Sequence, residues 1–209
     1  MPSTAAKENI LKRIRQGLSH PVPLPFSQSE GSQSVFKTPT DDDTVLFAEA
    51  FSKLQGKFIY CINEEELAAQ LAQLFQSRQW SQVYCKEDKI IPFLESTGLK
   101  PFGDLASCEA AITGCEYLVA RTGSIVMSSA QQSGRTASVY APIHICIAYQ
   151  SQLFYDLKDV LGFLKSKYKK NLPSLITFAT GPSRTADIEK TLVTGVHGPK
   201  EVYCFFVEG

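Results

Sequence analysis

Leu175-Ile176-Thr177-Phe178-Ala179 runs into Thr180-Gly181-Pro182-Ser183 and then into Arg184-Thr185-Ala186-Asp187-Ile188-Glu189-Lys190. A second punctuated loop, Gly195-Val196-His197-Gly198-Pro199, leads to a final apolar run, Val202-Tyr203-Cys204-Phe205-Phe206-Val207. The order reads strand, tight turn, short helix, loop, strand. Gly allows positive φ, Pro presets a turn, and Ser or Thr accepts hydrogen bonds from the first free helix N–H groups. A helix N-terminus reached from a strand end is an anion site. It is also how α/β proteins ordinarily begin helices, so this stretch speaks for the fold before it speaks for chemistry.

Working outward, the same alternation fills residues 41–209. Asp41-Asp42-Asp43 caps a helix over about 44–54 that buries Leu46, Phe47, Ala50, Phe51 and Leu54, and Gly56 ends it. Lys57–Cys61 reads as a strand, a helix follows from Asn63 through Phe75, and Gln82–Cys85 is a second short strand. Helical turns interrupted by Pro92 come next, and 104–112 reads as helix. Tyr117–Ala120 and Ser124–Met127 are apolar strands joined as a hairpin through Thr122-Gly123. Residues 129–138 are small, polar and irregular. Ile143–Tyr149 is a strand, and a helix spans about 153–168 with Leu157, Val160, Leu161 and Leu164 on one stripe. Its lysine-rich end (Lys165, Lys167, Lys169, Lys170) suits a helix C-terminus and solvent. These elements predict a three-layer α/β/α sandwich with a mostly parallel sheet plus a β-hairpin.

Residues 1–40 differ in kind. Ile10, Leu11, Ile14 and Leu18 share one face of a helix over 5–18, and Pro21, Pro23, Pro25 and Pro39 mark an extended linker from His20 to about Thr40. The apolar face is short and lacks aromatics, which favours packing on the body or on a second subunit over a membrane-surface anchor. Homo-oligomerisation through this arm is the expectation. A formal net charge of zero gives no electrostatic footprint for nucleic acid. No apolar run approaches ~20 residues and no signal-peptide core is visible, so no membrane span and a cytoplasmic location are expected. The six cysteines form no Cys-x-x-Cys pair and sit largely in apolar runs, as small core residues do; no metal site is expected.

Ligands of open α/β sheets gather at the carboxyl ends of parallel strands. That places two turns on one rim: Arg121, Thr122, Gly123 and Ser124 after one strand, and Gly181, Ser183, Arg184 and Thr185 after another, with Arg135 as a third piece. Backbone N–H groups, hydroxyls and guanidinium groups suit a carboxylate or phosphate. The same residues would equally serve as hairpin and cap residues with solvated arginines. His197 is the acid–base candidate. A parallel last βαβ unit would put Ser183 and His197 at opposite sheet edges, giving His197 an interface or loop-pinning role instead. Asp187 and Glu189 are either site acids or first-turn partners of the helix dipole, and His144 reads as a satisfied core histidine.

Gly181-Pro182-Ser183-Arg184-Thr185-Ala186-Asp187-Ile188-Glu189 with Gly195-Val196-His197-Gly198-Pro199 resembles the C-terminal signature of the LUD domain family, the lactate-utilization protein C (LutC) group formerly called DUF162. Ala120-Arg121-Thr122-Gly123-Ser124-Ile125-Val126, His144-Ile145-Cys146 and the opening Ile10-Leu11-Lys12-Arg13-Ile14-Arg15 fit the same family. The resemblance implies a fold like the NagB/RpiA/CoA-transferase group over residues 41–209. It implies a subunit or accessory of an iron–sulfur L-lactate oxidation system, with no cofactor bound directly and the clusters on partner subunits. The alternative it leaves is an independent enzyme acting on a phosphorylated or CoA-linked small molecule. Arg121 stands where the family usually has an acidic residue. The acyl-forming glutamate of the related CoA transferases is thus not available there, which favours anion binding.

Overall fold

The computed structural model describes residues 5–19, 41–185 and 193–209. The chain divides into two units, Met1–Lys37 and Thr38–Gly209. The first contains helix α1 (Ala5–Leu18), on which Ile10 and Ile14 are exposed. Among the described residues no helix is long and apolar enough to cross a membrane.

The second unit is built on five strands, β1 (Lys57–Cys61), β2 (Val83–Tyr84), β3 (Ala110–Thr113), β6 (Ile143–Tyr149) and β11 (Glu201–Val207). They form an all-parallel sheet in the order β1-β11-β6-β3-β2. Its middle strands read as continuous apolar runs because both faces are covered. Helices α3 (Glu64–Arg78) and α4 (Ile91–Ser96) cover one face through Leu67, Leu71, Phe75 and Leu94. Asn63 caps α3 by accepting from Glu66 N at 2.9 Å, while Glu66 accepts from Ile62 N.

The α/β class with a mostly parallel sheet is as the sequence implies; the other face holds more than a hairpin. Strands β4 (Tyr117–Val119) and β5 (Ser124–Ser128) are joined by β7 (Leu153–Phe154) and β8 (Ile176–Ala179) in a second sheet, ordered β7-β4-β5-β8. This sheet and helix α2 (Asp43–Lys53) pack on the parallel sheet through Phe47, Phe51, Leu118, Ile125, Cys204 and Phe206. Phe47 and Phe51 stack with centroids 5.4 Å apart and are fully buried. Helix α6 (Leu157–Tyr168) closes the outer face of the second sheet with Val160 and Leu164.

Three expectations need correction. No helix forms over 104–112: Asp104 caps a single turn, and Ala110–Thr113 is a fully buried central strand, whose short apolar run carries no periodicity to separate it from helix. Residues 153–154 are strand β7, and α6 starts at Leu157 on its cap Asp156. Arg184 does not begin a helix: β9 (Arg184–Thr185) pairs antiparallel with β10 (Val193–Thr194). The rest of that expected helix, with Asp187 and Glu189, lies outside the described residues.

Lys167 is not merely a solvated end of α6. It reaches Glu116 at 2.6 Å, and this buried carboxylate also accepts from Ser128 Oγ and Tyr168 OH, each at 2.5 Å. Burial alone would raise the Glu116 pKa, but these donors outweigh it and hold the carboxyl below the usual glutamate value. A depressed folded pKa contributes stability that is present above the unfolded value, about 4.3, and is lost as pH falls. Glu116→Gln is expected to lower the unfolding free energy at pH 7 by about 2 kcal/mol. The difference from the parent should shrink below pH 4.5 in urea titrations; a constant difference would exclude the ionised carboxylate as its source.

Candidate functional site

Strands β4 and β8 both run antiparallel to β5, so their carboxyl ends fall at one end of the second sheet. The two expected turns therefore meet: Ser124 Oγ lies 2.9 Å from Thr180 Oγ1 and Thr122 Oγ1 lies 2.7 Å from Ser124 Oγ. The junction is not an open rim, however. Gly123, at φ 60°, lies directly beneath the α2 backbone, where a Cβ would overlap Phe51 N and Ala50 C. Gly181, at φ 85°, lies equally close under the Leu54 carbonyl. Gly123 and Ser124 are buried as a result.

Arg121 is exposed and already paired with a carboxylate. Its Nε donates to Asp156 Oδ2 at 2.7 Å, and that carboxylate also caps α6 by accepting from Lys158 N at 2.9 Å. Arg135 sits at the other end of the second sheet, where Nη2 donates to Ser174 Oγ at 2.5 Å, beside the β5–β8 pair Ser128–Ile176. Arg184 is exposed on β9.

The opening lies on the inner side of the 180–183 turn. A cavity of about 160 Å³ between the two sheets is lined by Met127, Thr177, Ala179, Gly181 and Ser183, and by Ser138, Val139, His144, His197, Gly198, Pro199 and Val202. Val139, His197 and Gly198 also line an outer basin of about 450 Å³, completed by Tyr140, Pro142, Gly195, Val196 and Lys200. Ser183 and His197 thus face one space rather than opposite sheet edges. The reason is the fold-back of the 193–199 loop: Ser183 N donates to Pro199 O and Gly195 N to Ser183 O, both at 2.9 Å. The lack of a side chain on Gly198 permits it, since a Cβ there would stand 3.0 Å from Ser183 Cβ.

His144, expected to be a core histidine, is a wall residue of this cavity and almost fully buried. Its Nε2 lies 2.8 Å from Thr113 Oγ1, and burial pushes its pKa down to about 4. The expected irregular stretch 129–138 ends in the short helix α5 (Ala137–Tyr140), which supplies Ser138, Val139 and Tyr140. Tyr140 and Val196 stand 73% and 51% exposed at the mouth, an apolar rim that neither periodicity nor motif announced. Cys115, Cys146 and Cys204 are buried neighbours behind the cavity. The Cys115 thiol, hydrogen-bonded to Cys146 and fully buried, is pushed well above its usual range. Among the described residues no three His, Cys, Asp or Glu side chains converge on a metal-sized position.

A family model described as LUD domain matches residues 103–207, which is half of the chain. The chain belongs to the LUD domain family. The matched stretch contains both turns, the cavity and His197, whereas α2 lies outside it. Lactate utilization protein C of Halalkalibacterium halodurans is 38% identical over 101 residues, covering 47% of this chain and 44% of that protein. The Deinococcus radiodurans protein of the same name is 30% identical over 105 residues, covering 50% and 49%. An uncharacterized protein of Neisseria meningitidis is 31% identical over 94 residues, covering 45% and 40%. This LUD chain therefore aligns with less than half the length of these relatives. The crystal structure of a DUF162 family protein from Deinococcus radiodurans aligns with a TM-score of 0.61 at 18% identity, over 79% of this chain and 96% of that one. It shares the LUD fold.

The close approach of α2 over the Thr122-Gly123 turn is directly testable. Gly123→Ala combines a left-handed backbone with a Cβ that displaces a helix, and should cost about 3 kcal/mol of unfolding free energy in urea. A loss below ~0.5 kcal/mol, the size of an ordinary surface substitution, would contradict the packing.

Proposed function

We propose that this LUD domain takes part in lactate utilization by binding a small 2-hydroxy acid in the cavity between the two sheets. The observation that carries this reading is the convergence of Ser183, His197 and the glycine-permitted backbone of 181 and 198 on a space of about 160 Å³. That volume equals the share of roughly five water molecules, small for a cofactor and suited to a three-carbon acid. Among the described residues neither the Ser183 hydroxyl nor the His197 imidazole has a hydrogen-bond partner, which leaves both for a carboxylate. Lys200 adds positive charge at the mouth. Arg121, Thr122, Gly123 and Ser124 then act through position, holding the 180–183 turn in place, and Arg184, Thr185 and Asp187 belong to the segment that follows Ser183. The names of the relatives support lactate as the metabolite.

In this proposal the domain is a subunit or accessory of an iron–sulfur L-lactate-oxidising assembly. The clusters sit on partner subunits and the oxidation of lactate to pyruvate belongs to the assembly. His197 is the group placed to exchange a proton with bound substrate. The N-terminal helix serves oligomerisation of this chain.

The outer basin favours a second reading. Its volume of about 450 Å³, with Lys200 on its wall, exceeds what a three-carbon acid fills. An independent enzyme acting on a phosphorylated or CoA-linked small molecule would use both spaces.

Titration calorimetry with L-lactate should give saturable binding in the millimolar range or tighter, weakened about tenfold by Ser183→Ala and by His197→Ala. A thermal-shift series of sugar phosphates, CoA esters and folates that stabilises the protein where lactate does not would replace the first reading with the second. Deletion of residues 1–40 should reduce the mass measured by light scattering to that of a monomer; an unchanged oligomer would remove the arm from assembly.

A further inference from the structure

His144 stands apart from the other cavity residues because one of its ring nitrogens has a buried side-chain partner. It lies on β6 between β3 and β11, and its Nε2 is 2.8 Å from Thr113 Oγ1. The Thr113 hydroxyl has a single hydrogen, and the Gly114 carbonyl 2.9 Å from its oxygen can only accept. With that hydrogen assigned to the carbonyl, Thr113 Oγ1 accepts from His144, so Nε2 carries the ring hydrogen and Nδ1 carries the lone pair. Among the described residues Nδ1 has no hydrogen-bond partner, while the imidazole borders the cavity shared with Ser183 and His197. Burial keeps the ring neutral near pH 7, so one of its two nitrogens is an acceptor.

We propose that His144 is the specificity-determining residue of the cavity, its Nδ1 accepting a hydrogen bond from the hydroxyl of a bound 2-hydroxy acid. This rests on the reading of the cavity as the carboxylate site and adds a second point of recognition to it. Ser183 and His197 hold the carboxylate end, and His144 reads the substituent on the adjacent carbon. A hydroxyl offers a hydrogen to the lone pair. A 2-keto group offers only an acceptor, so two lone pairs would face each other in a space shut off from water. An unsubstituted acid leaves Nδ1 unpaired. The site therefore prefers the reduced member of a 2-hydroxy acid/2-keto acid couple. Thr113 is a positioning residue that acts through the histidine by fixing the tautomer.

The experiment compares L-lactate, pyruvate and propionate by titration calorimetry on the full chain. The parent should bind lactate roughly tenfold more tightly than either analogue. In His144→Leu that ratio should fall to about one through weaker lactate binding, with pyruvate affinity kept or improved. Thr113→Val, a near-isosteric change that removes only the group fixing the tautomer, should lower the ratio partway and provides the test if His144→Leu does not fold. Equal affinities of the parent for lactate and pyruvate, each weakened by Ser183→Ala, would overturn the role of His144 and leave the carboxylate site standing. An undiminished ratio in His144→Leu, or in Thr113→Val where the first variant is unfolded, would do the same. No binding of any of the three acids would overturn both.

Discussion

Everything in the second unit depends on how closely the α2 backbone lies over two glycines. Gly123 sits under Ala50 and Phe51, and Gly181 under the Leu54 carbonyl, each with a positive φ that ordinary side chains resist. Neither position has room for a single added carbon. Helix α2 therefore clamps the ends of β4 and β8 side by side, and the hydroxyls of Thr122, Ser124 and Thr180 fill the remaining gap with hydrogen bonds. Phe47 and Phe51 drive the clamp by burying completely against Phe58, Phe206 and the second sheet. Truncating one such phenylalanine removes about 3–5 kcal/mol, comparable with a small domain's whole stability.

The clamp leaves one side of the 180–183 turn open. With the Thr122-Gly123 side sealed, the free face of the 180–183 turn is the one toward the parallel sheet, where the 193–199 loop folds back on it. The cavity is thus bounded by both sheets, and its polar groups come from distant parts of the chain: His144 from β6, Ser183 from the turn after β8, His197 from the loop before β11. Arg121 illustrates the opposite case. Its guanidinium looked suited to an anion, but the nearest buried anion is the cap of α6, and it pairs there.

The sequence made the local elements legible where a strong local cause exists. Lys57–Cys61 and Ile143–Tyr149 have their expected bounds, since each is a mainly apolar run between turn residues. Helices α1, α2 and α3 follow from amphipathic spacing and from the caps Asp42 and Asn63. The failures have a common physical origin. Ala110–Thr113 and Arg184–Thr185 are strands only because of their neighbours, β2 and β6 in one case and β10 in the other. The meeting of the 122–124 and 180–183 turns was foreseeable, whereas the covering helix was not, since nothing in Gly123 or Gly181 names the partner that presses on it. The convergence of Ser183 with His197 was hidden for the same reason: Leu175–Ala179 looked like one more parallel strand, yet β8 belongs to the second sheet.

The central claim is that small acids enter between the two sheets and not at the Thr122-Gly123 turn. Backbone amide chemical shifts recorded by NMR during an L-lactate titration test it most directly. Saturable shifts should concentrate on Ser183, Gly195, Gly198 and His144, with Gly123 and Ser124 moving little. Shifts centred on residues 121–124, with the 183 and 195–198 amides unmoved, would contradict the account.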